Sequence, residues 1–315
     1  MNSLAKPLGH QTTIDQFLAG IATGKLHHAW LLHGPAGIGK AMLAELLAAS
    51  YLCERNHDSE GAVEACGECH SCRMLAAGAH PDRMNVTLLE KKRDISVGQI
   101  RDALTFLSLS GMESHRRVVI IDDAEQLNTQ AANALLKRLE EPSKGSLLLI
   151  VCSDVTKLPA TIRSRCLLAP CHPLSEDDTK ESLTEMGIPS QAMKLALELS
   201  EGCPGRVACL HDEASADALA EWQRLLQNPE KSDIGAMEKW MGQHLQQLPY
   251  QLIVDMVIKS VWPQLTSRAE FSSQQRIDEA LRGLAAWPGQ VSRHSLRPVP
   301  SLLAHMLRLR IVLRT

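Results

Sequence analysis

The sequence predicts an α/β domain built on a parallel β-sheet, followed by an all-α region that begins after about residue 168. Three segments have the continuous apolar character of strands that are buried on both faces: "AWLLHG", "RRVVIIDD" and "GSLLLIVCSD". Segments with helical spacing lie between them, and this alternation is typical of a parallel sheet covered on both sides. We therefore expect helices alone after about residue 168.

The helical segments follow in order along the chain. Residues 14–26 carry apolar side chains at helical spacing and precede the first strand. "KAMLAELLAASYLC" is predicted to form the next helix, and "QAANALLKRLEEP" a later one that Pro142 ends. Short helices are expected over 175–210, and longer helices after them are expected to break near prolines such as Pro288.

Composition limits the classes of function. The chain carries 33 Lys and Arg against 36 Asp and Glu, so its net charge is only −3. This balance argues against a protein that grips DNA mainly through its own positive charge. The start of the chain has no apolar signal-peptide core, and no segment has the roughly 18 apolar residues needed to cross a membrane. We expect a cytoplasmic protein without membrane contact, in which the nine cysteines are metal ligands or buried thiols.

"HGPAGIGKAM" matches a phosphate-binding loop, G-x-x-x-x-G-K, except at its last position. Gly34, Gly37 and Gly39 allow backbone N–H groups to converge on phosphate oxygens, and Lys40 can reach the β- and γ-phosphates. The usual Ser or Thr at the next position would bind the Mg²⁺ ion of a nucleotide. Ala41 has no hydroxyl, so the loop is expected to form while its metal ligand is missing.

Two acids follow the second predicted strand. Asp122 has the position of the acid that organises magnesium, and Asp123 stands where active ATPases of this layout usually have Glu. The shorter side chain misplaces a water-activating carboxylate by about 1 Å, which can cost on the order of a hundredfold in rate. We expect weak or absent hydrolysis. ATP or ADP binding and a purely structural loop both remain open.

A cysteine cluster interrupts the α/β pattern over residues 53–72. Its members are Cys53, Cys66, Cys69 and Cys72. Four thiolates at this spacing suit a closed structural zinc site. An iron–sulfur cluster and free thiols are the alternatives, although the C-x3-C-P continuation of a ferredoxin sequence is absent. His70 or His57 could replace Cys53 as the fourth zinc ligand.

Two arginines, Arg163 and Arg165, follow the third predicted strand in "LPATIRSRCLLAP". They are either ordinary surface residues, or Arg165 is an arginine finger that reaches the nucleotide of a neighbouring subunit. Such a guanidinium stabilises the charge that develops on the transferred phosphate. A chain with a defective site and an intact finger would activate its neighbour.

These segments together resemble the bacterial clamp loader subunits of the AAA+ class. The resemblance rests on the phosphate loop, the four-cysteine insertion, "AHPD", "NALLKRLEEP" and "SRC", and it continues to "SEGCPGR" near residue 206. It implies an AAA+ domain at 1–168 with the zinc module, a helical lid at 169–209 and a helical collar at 210–315. It also implies a ring with gamma/tau motor and delta subunits, which acts on a sliding clamp and primed DNA.

Within this family the zinc module occurs in the motor subunits and in one further type of subunit. A motor would carry Ser or Thr at position 41, Glu at 123 and Arg at 205, whereas this chain has Ala41, Asp123 and Gly205. Arg206 lies one residue after position 205. In a helix, a shift of one residue rotates the direction of the side chain by roughly 100° about the helix axis. Ser153 is a candidate first phosphate sensor. The departures match the subunit that lacks activity alone but belongs to the polymerase (nucleotidyltransferase) holoenzyme.

Three other functions remain as alternatives: a gamma/tau-like motor, an autonomous AAA+ ATPase and a zinc nucleic-acid module. The last fits poorly, because the chain has only three Phe and two Tyr to stack on bases.

Overall fold

The structure is a computed structural model, and it describes residues 7–56, 64–90, 92–109, 111–113, 115–227, 233–266 and 271–314. Its residues divide into two compact units, Met1–Asp178 and Thr179–Thr315, and each is described by itself.

The first unit is a five-stranded sheet with helices. Its strands are β1 (Ala29–His33), β2 (Arg83–Val86), β3 (Arg117–Ile121), β4 (Ser146–Cys152) and β5 (Leu167–Pro170). Its helices are α1 (Gln11–Ala22), α2 (Lys40–Leu52), α3 (His70–Ala76), α4 (Val97–Ser108), α5 (Thr129–Glu140), α6 (Ala160–Arg163) and the start of α7 (Glu176–Glu185). The strand order is β2-β3-β4-β1-β5 and every pairing is parallel. The predicted α/β fold with a parallel sheet is confirmed.

The three strands predicted from apolar segments form the centre of this sheet. All five residues of β3 are buried, and so are six of the seven in β4. The two edge strands were not predicted, because each has only four residues. β2 is of mixed polarity, whereas β5 is apolar but too short for its sequence to distinguish it from a loop.

The sheet brings the phosphate loop to the carboxyl ends of its central strands. Gly34 follows β1 and donates its N–H to the carbonyl of Cys152 at the end of β4, over 3.3 Å. A Cβ atom at Gly34 would lie 2.1 Å from the carbonyl oxygen of Cys171, so only glycine fits there. The loop is therefore fixed between two strands and opens at the edge where α/β folds bind ligands.

The second unit is entirely helical over its described residues. After the rest of α7 come α8 (Ser190–Ser200), α9 (Glu213–Leu225), α10 (Ile234–His244), α11 (Tyr250–Thr266), α12 (Phe271–His294) and α13 (Pro298–Arg314). Trp222 and Trp240 stack in its core with ring centroids 4.5 Å apart. The expected break near Pro288 is wrong, since α12 continues through it. Trp287 beside it is fully buried, and this packing offsets the missing backbone hydrogen bond.

One buried core of the second unit extends from Leu183 to Leu313 and includes residues of both the expected lid and the expected collar. The division of this region at residue 209 stays a prediction. None of the described helices is long and apolar enough to span a membrane.

Candidate functional site

The phosphate loop ends where α2 begins. Gly37 and Gly39 have φ angles of 79° and 92°, which glycine adopts without strain, and Gly39 is the residue that caps α2. Glycine offers no capping side chain, and among the described residues no side-chain cap bonds to the N–H groups of this helix start. These donors and the positive end of the helix dipole suit a phosphate group.

Lys40 is buried and points back into its own loop. Its ammonium donates to the carbonyls of Gly34 and Pro35, both at 2.8 Å, and to the hydroxyl of Ser153 at 3.2 Å. Burial lowers the pKa of Lys40, although nearby thiol and carboxyl groups partly offset this effect. The structure thus brings together the glycines, the lysine and the candidate sensor Ser153, which the sequence placed in one site.

Glu125 is a member of this site that sequence reasoning missed. Its two carboxylate oxygens accept the backbone N–H of Ser153 at 3.1 and 3.2 Å. Lys40 and Glu125 therefore hold Ser153 from both sides. The only signal in the sequence was a third acid two residues after Asp123, at the end of the same strand.

The two predicted acids are arranged poorly for hydrolysis. Asp123 has φ 49° and ψ 46°, a left-handed conformation, and donates its N–H to the carboxylate of Asp122 at 2.9 Å. Burial raises the pKa of Asp123, and the negative charges of Asp122 and Glu125 raise it further. The side chain of Ala41 is exposed and offers no metal ligand.

The four cysteines of the cluster lie together as predicted. Cys53, Cys66, Cys69 and Cys72 place their sulfur atoms within 4.8 Å of one another, with 3.9 Å between those of Cys66 and Cys72. The sulfur atoms of a zinc–thiolate tetrahedron are about 3.8 Å apart, given Zn–S bonds of about 2.3 Å. The donor set therefore fits zinc. His70 is not a member of this group, and His57 lies outside the described residues.

Backbone N–H groups support the cluster. Those of Cys69 and Cys72 donate to the sulfur atoms of Cys66 and Cys69, at 3.3 and 3.4 Å. Burial alone would raise the pKa of Cys66, but hydrogen bonds from Cys69 and Glu68 lower it to about 7. Stabilised thiolates are the form that binds metal.

A buried hydrogen-bond network connects the cysteine module to the sheet. His80 accepts the N–H of Asp82 at Nδ1, so its proton is on Nε2, which donates to Ser71 at 2.8 Å. The hydroxyl of Ser71 in turn donates to the carbonyl of Leu52. The Ser hydroxyl is thus a donor to the backbone, which excludes nucleophile activation by His80. "AHPD" is a structural motif here.

Asp82 is the centre of the structural network beside the sheet. Its carboxylate has no exposed surface, accepts the N–H groups of Met112 and Glu113 at 2.7 and 2.8 Å, and pairs with Arg117. Replacing one member of a buried pair costs about 3–5 kcal/mol. We expect Asp82→Asn to lower the free energy of unfolding by that amount in urea titrations. Asp102→Asn, on the exposed face of α4, is the matched control and should have almost no effect.

Arg165 is about one third exposed at the surface of the first unit. Its guanidinium pairs with Glu140 at 2.8 Å and donates to the carbonyl of Thr161 at 3.0 Å. Arg163 lies two residues earlier and buries its Nε without a hydrogen-bond partner. Of the two predicted arginines, only Arg165 is held by a charged partner among the described residues.

Arg206 lies in the second unit and is committed to two carboxylates. It pairs with Glu201 at 2.6 Å and with Asp255, while Glu201 also pairs with Lys259. The residue at the position of a motor's sensor arginine is Gly205, which has no side chain. Through these ion pairs, Arg206 stabilises the structure of the second unit.

Comparisons with known proteins agree with the fold and motifs. The sequence model of the family described as "DNA polymerase III, delta subunit" matches residues 9–175. The chain is 40% identical to DNA polymerase III subunit delta' of Pseudomonas aeruginosa over 196 residues, which are 62% of this chain and 58% of that protein. It is 35% identical to subunit gamma of Buchnera aphidicola (Schizaphis graminum), covering 56% of this chain and 47% of that one.

A gamma subunit-related protein from Thermotoga maritima has a similar fold, with a TM-score of 0.52 and 14% sequence identity. The structural alignment covers 97% of this chain and 100% of that chain. The family match includes the phosphate loop, the cysteine cluster and "SRC", and it covers more than half of the sequence. The chain belongs to the DNA polymerase III delta subunit family, and its relatives include delta' and gamma subunits of DNA polymerase III.

Proposed function

We propose that this chain is the delta-prime subunit of the DNA polymerase III clamp loader. It would form a ring with gamma/tau motor and delta subunits and help to place the sliding clamp on primed DNA. The observation that carries this proposal is the contrast between a phosphate site without its catalytic groups and an accessible Arg165. The residues at positions 41, 123 and 205 are those that would distinguish a motor subunit from a subunit that only assists a motor.

The chain's own site supports binding of phosphate better than its hydrolysis. Backbone donors and Lys40 face the loop, but Ala41 provides no magnesium ligand and Asp123 is one methylene shorter than the usual Glu. Gly205 provides no sensor side chain. ATP or ADP bound here would be a structural ligand.

Arg165 is proposed to act in trans. It is the central residue of "SRC", and its partner Glu140 is about half exposed. The guanidinium is partly exposed and has five N–H donors, so donors that Glu140 does not occupy can bind the phosphate of a neighbouring nucleotide. Arg165 would thereby complete the ATP site of an adjacent motor subunit.

The zinc ion is proposed to be structural. The four cysteines form a closed set of ligands, which leaves no open position for substrate or water. The ion would fold the 53–72 insertion and fix α3, which carries Ser71, beside His80.

Lys40→Ala is expected to leave ATP hydrolysis by the reconstituted ring unchanged, because the loop of this chain performs no chemistry. The measurement is steady-state ATPase activity with primed DNA and clamp, with thermal unfolding as the control for folding. If the chain were a motor subunit, Lys40→Ala would lower ATP hydrolysis by the ring. The similarity to a gamma subunit makes a motor the main alternative. ATP turnover by the isolated chain that Lys40→Ala abolishes would favour it.

Co-purification tests the proposed assembly. The chain should form a stable complex with motor and delta subunits in size-exclusion chromatography. Failure to bind either subunit would refute the delta-prime assignment.

A further inference from the structure

We propose that Glu140 is a positioning residue for Arg165: its carboxylate holds the guanidinium in the direction from which it reaches the neighbouring nucleotide. This inference rests on the proposed trans role of Arg165 and identifies what orients it. Glu140 is the last residue of α5, and Arg165 follows the short helix α6 that packs against α5.

The contacts of Arg165 define its direction. Nη2 pairs with Glu140 at 2.8 Å, while Nη1 donates to the carbonyl of Thr161 at 3.0 Å and approaches the hydroxyl of Ser164 at 3.4 Å. Both terminal nitrogens are thus held from within the same chain. A guanidinium has five donors in a planar fork, so those that remain can bind phosphate oxygens while these contacts persist.

The position of Glu140 argues that its carboxylate is not there to stabilise α5. The carboxyl end of a helix carries partial negative charge, and an acidic side chain there is unfavourable. Glu140 is the final residue of α5, immediately before the capping residue Glu141. The last turn of α5 also carries Lys137 and Arg138, but the cation that pairs with the Glu140 carboxylate is Arg165.

Holding an arginine before its ligand arrives has a kinetic consequence. A free arginine side chain loses about 2 kcal/mol of rotamer entropy when it is fixed in one geometry. A side chain that its own subunit already orients loses less of this entropy at the transition state. We therefore expect Glu140 to affect the turnover number of the neighbouring site and to leave nucleotide affinity nearly unchanged.

The experiment uses the full clamp loader ring, in which only the motor site next to this chain is active. The remaining motor subunits carry an inactivated phosphate loop. Glu140→Ala should lower kcat about two- to fivefold, the range expected for an exposed ion pair, with KM for ATP unchanged. Glu140→Asp keeps the charge and should restore part of the loss.

Two controls separate positioning from a structural effect. Glu141→Ala removes the adjacent exposed acid, which has no ion pair among the described residues, and should leave kcat unchanged. In the Arg165→Ala background, Glu140→Ala should have no further effect, because the group it positions is gone.

The proposal is overturned if Glu140→Ala leaves kcat at the wild-type value, or if it lowers kcat by the same factor when Arg165 is already Ala. Wild-type ATPase activity with Arg165→Ala alone would instead refute the trans role on which the inference rests. These outcomes separate a failure of the positioning role from a failure of the proposed function.

Discussion

Arg165→Ala is expected to lower ATP hydrolysis at the adjacent motor site by about 10³-fold or more, the range measured for arginine fingers in well-studied NTPases. The ring should still assemble, since the side chain is about one third exposed and its loss leaves no cavity in the buried core. The total ATPase rate of the ring should fall by the fraction that this one site contributes. Steady-state ATPase assays with primed DNA and clamp measure this effect.

Arg165→Lys is the informative companion variant. Lysine keeps the positive charge but loses the planar fork that binds two phosphate oxygens. We expect an ATPase rate between those of the wild-type and Arg165→Ala rings. Size-exclusion chromatography checks that the ring still assembles. Full activity of the Arg165→Ala ring would show that the neighbouring site needs no arginine from this chain.

Removal of zinc should have the largest effect on stability. Structural zinc contributes an apparent binding free energy of about 10–16 kcal/mol in zinc-finger peptides, which equals or exceeds the total stability of an ordinary domain. Purified chain should contain close to one zinc per molecule, and a strong chelator should unfold at least the cysteine module. Elemental analysis and hydrogen exchange across α3 measure these two results.

Cys72→Ser should reproduce the effect of the chelator, because Cys72 is one of the four clustered thiols. Cys209→Ser is the matched control, since its sulfur lies outside the cluster and should leave zinc content unchanged. Protein that contains neither zinc nor another metal would refute a metal-dependent module. Iron with visible absorbance would support the iron–sulfur alternative.

The predicted features are those that local patterns encode. Central strands are buried on both faces and therefore appear as continuous apolar segments. The phosphate loop and the cysteine cluster depend on residues close together in sequence, so their spacing was enough to place Lys40 and Cys72. Position 34 requires glycine because the backbone of Cys171 lies too close for a Cβ atom. The phosphate-loop motif already places a glycine there.

The features that could not be predicted depend on contacts between distant segments. Arg165 and Glu140 are 25 residues apart, and of the two partners of Arg206, Glu201 directly follows α8 while Asp255 lies on α11. The role of Asp82 depends on a loop that begins about 30 residues later. No periodicity or spacing rule connects such residues, and tertiary packing alone brings them together.

The most direct test compares ATP turnover by the isolated chain, by motor plus delta subunits, and by the three components together. We expect no turnover by the isolated chain. Turnover that primed DNA and clamp stimulate should appear in full only when the chain is present. Equal stimulated turnover without the chain, or Lys40-dependent turnover by the chain alone, would contradict its assignment as a non-hydrolysing subunit that serves its neighbour.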